Sequence, residues 1–74
     1  MLKLISNTIQ EYAEVDESDI QEGTHFIQDL NLTSYDIVSM IGKLESDLGV
    51  EIPDREIREL ETVGDLLGYI KKLV

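Results

Sequence analysis

The spacing of apolar residues constrains the fold of this chain most strongly, because three segments repeat such residues every three or four positions. They are Leu2, Ile5, Ile9 and Tyr12 in the first segment, Ile37, Ile41, Leu44 and Leu48 in the second, and Val63, Leu66, Leu67, Ile70 and Leu73 in the third. This spacing gathers apolar side chains on one face of an α-helix. The alternation typical of a half-buried strand does not compete with it. The sequence therefore predicts an all-α fold.

Residues at the ends of the later segments set the predicted helix boundaries. Thr33 and Thr62 are each followed three positions later by an acidic residue, Asp36 and Asp65. This is the capping-box pattern that opens a helix. Gly49 follows the second apolar stripe, where a glycine commonly ends a helix. We therefore expect the second helix to occupy the region between Thr33 and Gly49, and the last helix to open at Thr62.

The rest of the chain is divided between one helix and two connections. The first helix is predicted to run to about Glu14, and a polar connection follows over residues 15–33, in which Phe26, Ile27, Leu30 and Leu32 are the expected buried anchors. Pro53 favours an extended step and then a new, short helix. The prediction is a small bundle of three main helices plus one short helix, forming a single domain over residues 1–74.

The charge of the chain narrows the classes of partner. Sixteen acidic residues face six Lys and Arg, for a net charge of −10, and no Lys or Arg lies between Lys3 and Lys43. Such a surface repels nucleic acid and attracts proteins that carry basic patches. No apolar run approaches the roughly 18 residues of a membrane span, so we expect no membrane insertion. A cytoplasmic monomer is the expectation.

The composition offers few residues for catalysis or for binding a metal ion. The chain has no cysteine and one histidine, His25, which excludes thiolate metal sites and multi-histidine sites. An EF-hand loop in the acidic connection would place Ile20 at a ligand position, where it cannot bind calcium. A chain of 74 residues also has little room for a deep catalytic cleft. We predict no catalytic residues and no resident metal.

Ser34 stands one residue beyond the predicted cap of the second helix. Unpaired backbone N–H groups and the positive end of the helix dipole favour a phosphate there. Serine is also common at helix starts because it caps them. Position alone leaves both interpretations open.

Three segments of the chain contain recognisable sequence motifs. Residues 29–36 read DLNLTSYD, residues 44–54 read LESDLGVEIPD, and residues 61–66 read ETVGDL. In this order and spacing they resemble the acyl carrier protein family, at the prosthetic-group attachment segment, the end of the second helix with its Ile-Pro-Asp turn, and the start of the last helix. The likeness covers almost the whole chain and implies the acyl-carrier-protein-like bundle.

The resemblance implies a carrier function without catalysis. A phosphopantetheinyl transferase would attach 4′-phosphopantetheine from coenzyme A to Ser34, and the thiol of this arm would hold acyl groups as thioesters for fatty acid, polyketide or related biosynthesis. Acyl-transfer and synthase enzymes with basic docking patches would be the further partners. The positions that match the family's docking surface are Tyr35, Asp36, Val38, Ser39, Gly42, Glu45, Ile52 and Asp54.

The chain also departs from the family pattern near this serine. Thr33 stands where the family usually has Asp, Tyr35 replaces Leu, and Gly42 falls where a bulky apolar residue is usual, which indicates a specialised carrier. Two alternatives stay open. One is a peptidyl or aminoacyl carrier, and the other is an acidic helical interaction module without a prosthetic group, in which Ser34 is only part of the helix start.

Overall fold

This computed structural model describes residues 1–73 of the chain. Within them it contains four α-helices and one 3₁₀ turn. Val74, the last residue of the predicted domain, lies outside the described residues. The elements are α1 (Leu2–Ile9), the 3₁₀ turn (Glu17–Asp19), α2 (Ser34–Leu48), α3 (Asp54–Ile57) and α4 (Val63–Leu73). The predicted fold class, three main helices plus one short helix, is confirmed.

The apolar stripes of the main helices meet in one core. Its fully buried side chains include Ile5 and Ile9 of α1, Met40, Ile41 and Leu44 of α2, Leu66 and Ile70 of α4, and Phe26 of the long connection. Each such side chain stabilises the fold by roughly 1.5–3 kcal/mol through removal from water. Leu73 was predicted to join this core, but this prediction is wrong. Leu73 lies in the last described turn of α4 and is 43% exposed.

The predicted caps of α2 are present. The Thr33 hydroxyl accepts a hydrogen bond from the Asp36 backbone N–H at 3.1 Å, and the Asp36 carboxylate accepts one from the Thr33 N–H at 3.1 Å. At the other end Gly49 adopts the left-handed conformation, with φ 67°. A residue without a Cβ adopts this conformation at little cost, which is why the helix ends there.

Helix α1 is shorter than the sequence predicts, because it ends at Ile9 and not near Glu14. The chain continues in tighter turns, in which the Glu11 and Tyr12 N–H groups bind carbonyls three residues back. Bonds of this spacing are common where an α-helix gives way to a 3₁₀ turn. Tyr12 still packs against the core after the helix has ended.

The long connection is fixed by backbone pairing with the segment that opens α4. Three hydrogen bonds join them: Phe26 N–H to Glu61 O at 3.0 Å, Val63 N–H to Thr24 O at 2.9 Å, and Gly64 N–H to Glu22 O at 2.8 Å. The first N–H groups of a helix lack partners within the helix, and here the connection supplies them. The same pairing holds Phe26 in the core and so positions the chain that leads into α2.

Candidate functional site

Ser34 is the first residue of α2, and its side chain faces solvent. Just before it, Asn31 adopts a positive φ of 56°, and the Leu32 N–H binds the Phe26 carbonyl at 3.0 Å. This turn buries Leu32, which is 3% exposed, and brings the chain back to the surface two residues later. The turn and the Thr33 cap together present the Ser34 hydroxyl at the end of the helix.

The backbone at this helix end is suited to an attached anion. The capping box satisfies the Asp36 N–H, whereas the Ser34 and Tyr35 N–H groups stand at the first two helical positions, which have no partner within a helix. These N–H groups and the positive end of the 15-residue helix favour a phosphate, by about 0.3–1 kcal/mol for an exposed group. A phosphate ester on the Ser34 hydroxyl therefore fits the local structure.

A cleft of about 350 Å³ is lined in part by Ser34 and lies among α2, α3 and the long connection. Its walls are largely apolar and include Phe26, Ile37, Ile57 and Leu60. A water-sized group occupies about 30 Å³, so the cleft has room for roughly a dozen such groups. An apolar chain tethered at Ser34 would find shelter from water there.

His25, Arg58 and Glu61 supply polar groups to the same cleft. The His25 side chain is 40% exposed, and its Nδ1 lies 3.6 Å from the Asp29 carboxylate. That carboxylate also accepts the His25 backbone N–H at 2.8 Å, so this contact belongs to a turn of the connection. Across residues 1–73, no group of three or more metal-ligating side chains comes together.

Comparison with known proteins identifies the family. The model of the phosphopantetheine attachment site family matches residues 3–70, nearly the full length of the chain. The chain belongs to the acyl carrier protein family. It is 45% identical over 67 residues to the acyl carrier protein of Lactobacillus acidophilus. This aligned region covers 90% of this chain and 84% of that protein. It is 37% identical over 68 residues to that of Thermotoga maritima, with 92% and 84% covered.

Solved structures of carriers have the same fold. The acyl carrier protein of Enterococcus faecalis superposes with a TM-score of 0.84 at 25% identity, covering 96% of this chain and 90% of that one. A candidate acyl carrier protein from Mycobacterium tuberculosis gives 0.89 at 25% identity, with 99% and 97% covered. As a member of this family the protein carries acyl groups on phosphopantetheine. Acyl carrier proteins are carriers rather than catalysts.

The predicted docking residues of this carrier lie at different depths. Tyr35 and Val38 are 80% and 52% exposed on α2, and Gly42 and Asp54 are also exposed. Asp36, Ser39 and Glu45 are half-buried. The exposed members could contact another protein without any change of the fold.

Two apolar residues are placed differently from expectation. Ile52, one of the predicted docking residues, is only 5% exposed and belongs to the core, so its side chain offers nothing to a partner in this structure. Ile27 was expected to be a buried anchor, but it is 57% exposed and lines the cleft. Because Phe26 points into the core, its neighbour in this tight turn is directed outward. Apolar spacing alone did not reveal that reversal.

The membrane question has a direct structural answer. Within residues 1–73, no helix combines the length and the apolar character that crossing a bilayer requires.

Proposed function

We propose that Ser34 is the attachment residue for the phosphopantetheine arm. The observation that carries this assignment is the position of Ser34, which is exposed at the start of α2 and lines the apolar cleft. The neighbouring hydroxyl of Thr33 accepts the Asp36 N–H and has a structural role. Ser34 is therefore the hydroxyl best placed to be modified.

The chain itself contributes binding and position to this function. In the transfer step the Ser34 oxygen would form a bond to the pantetheine-side phosphorus of the coenzyme A diphosphate, while the bond from that phosphorus to the bridging oxygen breaks. Adenosine 3′,5′-bisphosphate would leave, and the hydroxyl proton would pass to a base of the transferase. A phosphopantetheinyl transferase would catalyse that step, and the protein would be its substrate and not an enzyme. When bound, the arm supplies the thiol that forms thioesters, a group that this cysteine-free chain lacks.

The cleft supports a role in sheltering the cargo. Its walls of Phe26, Ile37 and Leu60 are continuous with the core, and its volume of about 350 Å³ gives room for an apolar chain. Burying apolar area there stabilises the loaded form by roughly 25 cal/mol for each Å² removed from water. The carrier would hold its cargo between α2 and α3 until a partner draws it out.

The acidic surface supports docking to acyl-transfer and synthase enzymes with basic patches. The proposed contact surface follows α2 and the start of α3 through Tyr35, Asp36, Val38, Ser39, Gly42, Glu45 and Asp54. A net charge of −10 would accelerate encounters with cationic partners and make them sensitive to salt. A single carrier domain over residues 1–74, a monomeric state and a cytoplasmic location stay predictions.

Intact mass measurement tests the attachment residue. The protein is incubated with coenzyme A and a broad-specificity phosphopantetheinyl transferase, alongside Ser34→Ala and the matched control Ser46→Ala, which removes another exposed hydroxyl of α2. We expect one added arm on the wild type and on Ser46→Ala, and none on a folded Ser34→Ala. An arm on Ser34→Ala would place the attachment elsewhere. No arm on any variant would contradict the attachment at Ser34.

A further inference from the structure

Arg58 forms no ion pair with any other of the residues 1–73, and it lies beside a cleft made mostly of apolar side chains. It follows α3 directly, is exposed, and lines the same cleft as Ser34. Across residues 1–73, the Lys and Arg side chains that form ion pairs within 4.0 Å are Lys3 and Lys43. Arg58 forms none, although the chain holds sixteen acidic residues and Glu59 is its immediate neighbour. Its guanidinium is thus available to an anion that enters the cleft.

We propose that the cleft selects acyl groups that end in a carboxylate, and that Arg58 binds this carboxylate. The inference rests on the proposed attachment at Ser34, since the arm must deliver the acyl group to the cleft. A guanidinium presents a planar set of donors that matches a carboxylate through two parallel hydrogen bonds. The apolar walls hold the methylene groups of the cargo, and the charged end meets Arg58.

The arm phosphate is the other anion that Arg58 could bind, but it would have partners of its own at the start of α2. A phosphate on Ser34 has the N–H groups and the positive end of α2 as partners. Arg58 follows α3, a different element, and lines the cleft in which the cargo would lie. Glu61 also lines the cleft and its charge opposes an anion, whereas Arg58 is the lining residue that carries a permanent positive charge.

Arg58 could instead stabilise the fold, and this structural role predicts the same effect for every cargo. The stem of an arginine can cover apolar surface, and its charge interacts favourably with a helix C-terminus. Both effects act on the protein whatever the cargo is. The test is therefore the difference between two cargoes of equal length.

The experiment loads Ser34 from adipoyl or hexanoyl coenzyme A, which differ only in a terminal carboxylate or methyl group. Intact mass confirms loading, and the melting temperature and the Arg58 Nε–H NMR resonance are then measured. We expect adipoyl to raise the melting temperature above that of the hexanoyl form by about 2–4 °C and to shift the resonance. In Arg58→Gln this difference disappears, and Arg58→Lys keeps part of it.

Arg55→Gln is the matched control, because it removes the same charge from an exposed residue of α3 that does not line the cleft. It should behave as the wild type does. A cargo difference that persists in Arg58→Gln overturns the proposal. So does an effect of Arg58→Gln on the cargo-free arm that adipoyl does not enlarge, which would assign the anion to the phosphate. Failure of the wild type to gain any arm would instead contradict the attachment at Ser34.

Discussion

The Glu45 carboxylate accepts a hydrogen bond from the backbone N–H of Ile52 at 2.8 Å. The Glu45 carbonyl also accepts the N–H groups of Gly49 and Val50. One residue of α2 thus holds three backbone groups of the connection to α3. The resemblance to the family assigned Glu45 to docking, whereas its contacts show that it also supports the turn that carries Ile52 into the core.

Glu45→Ala tests this structural role. A hydrogen bond to a charged acceptor is worth about 1.5–3 kcal/mol, and the Ile52 N–H would lose its partner, so we expect the free energy of unfolding to fall by about 1–2 kcal/mol. Glu45→Gln keeps an acceptor and should cost less. Urea unfolding measures both, with the exposed Asp47→Ala as control. If Glu45→Ala weakens binding to a partner enzyme and leaves stability unchanged, docking is its main role.

Two substitutions at Thr33 test separately its role in capping α2 and its effect on the transferase. Thr33→Ala removes the side chain that caps Asp36, so α2 should lose about 1 kcal/mol of stability in urea unfolding. Thr33→Asp keeps a capping oxygen and restores the acidic residue usual in the family, so stability should be maintained. Arm transfer to Ser34 should then be severalfold faster with a transferase that has a basic surface, and more sensitive to salt. A time course by intact mass at two salt concentrations measures this. Unchanged rates would show that the transferase does not recognise this position.

Two glycines predict opposite responses to the same substitution. A Cβ on Gly64 would lie 2.8 Å from the Glu22 carbonyl oxygen, so Gly64→Ala should separate α4 from the connection and destabilise the protein by about 1–3 kcal/mol. A Cβ on Gly42 meets nothing within 4 Å on the exposed side of α2, and Ala is the better helix former by about 1 kcal/mol. Gly42→Ala should therefore be stabilising. Thermal unfolding of both variants checks the contrast, which equal effects would contradict.

What the sequence could predict was local. The capping boxes at Thr33 and Thr62 depend on residues three positions apart, and both are present. The pairing of the long connection with the start of α4 joins residues 35 to 42 positions apart through backbone atoms, which leave no pattern of side-chain types. The same limit explains Ile27 and Ile52, since apolar residues in turns face the core or the solvent according to contacts made elsewhere in the chain.

In the candidate site, too, the local features could be predicted and those that depend on packing could not. Ser34 was identified from its helix position and from the resemblance of residues 29–36 to the family. Nothing local in the sequence indicates that Arg58 lines the cleft. The cleft itself arises from the packing of three separate elements.

Lys43 gives a test that depends on pH. Its hydrogen bond with Glu11, reinforced by the charge of that carboxylate, holds the pKa of Lys43 above its ordinary value. A pKa raised by folding means that the pair stabilises the protein fully below the unfolded-state pKa and loses this effect as the pH rises through the folded-state pKa. In a double-mutant cycle with Lys43→Ala and Glu11→Ala, we expect a favourable coupling at pH 7 that vanishes well above pH 10. Urea unfolding at the two pH values measures it, and at pH 7 the coupling should weaken in high salt because both side chains are exposed to solvent. A coupling that survives at alkaline pH would mean that the two side chains interact through packing and not through charge.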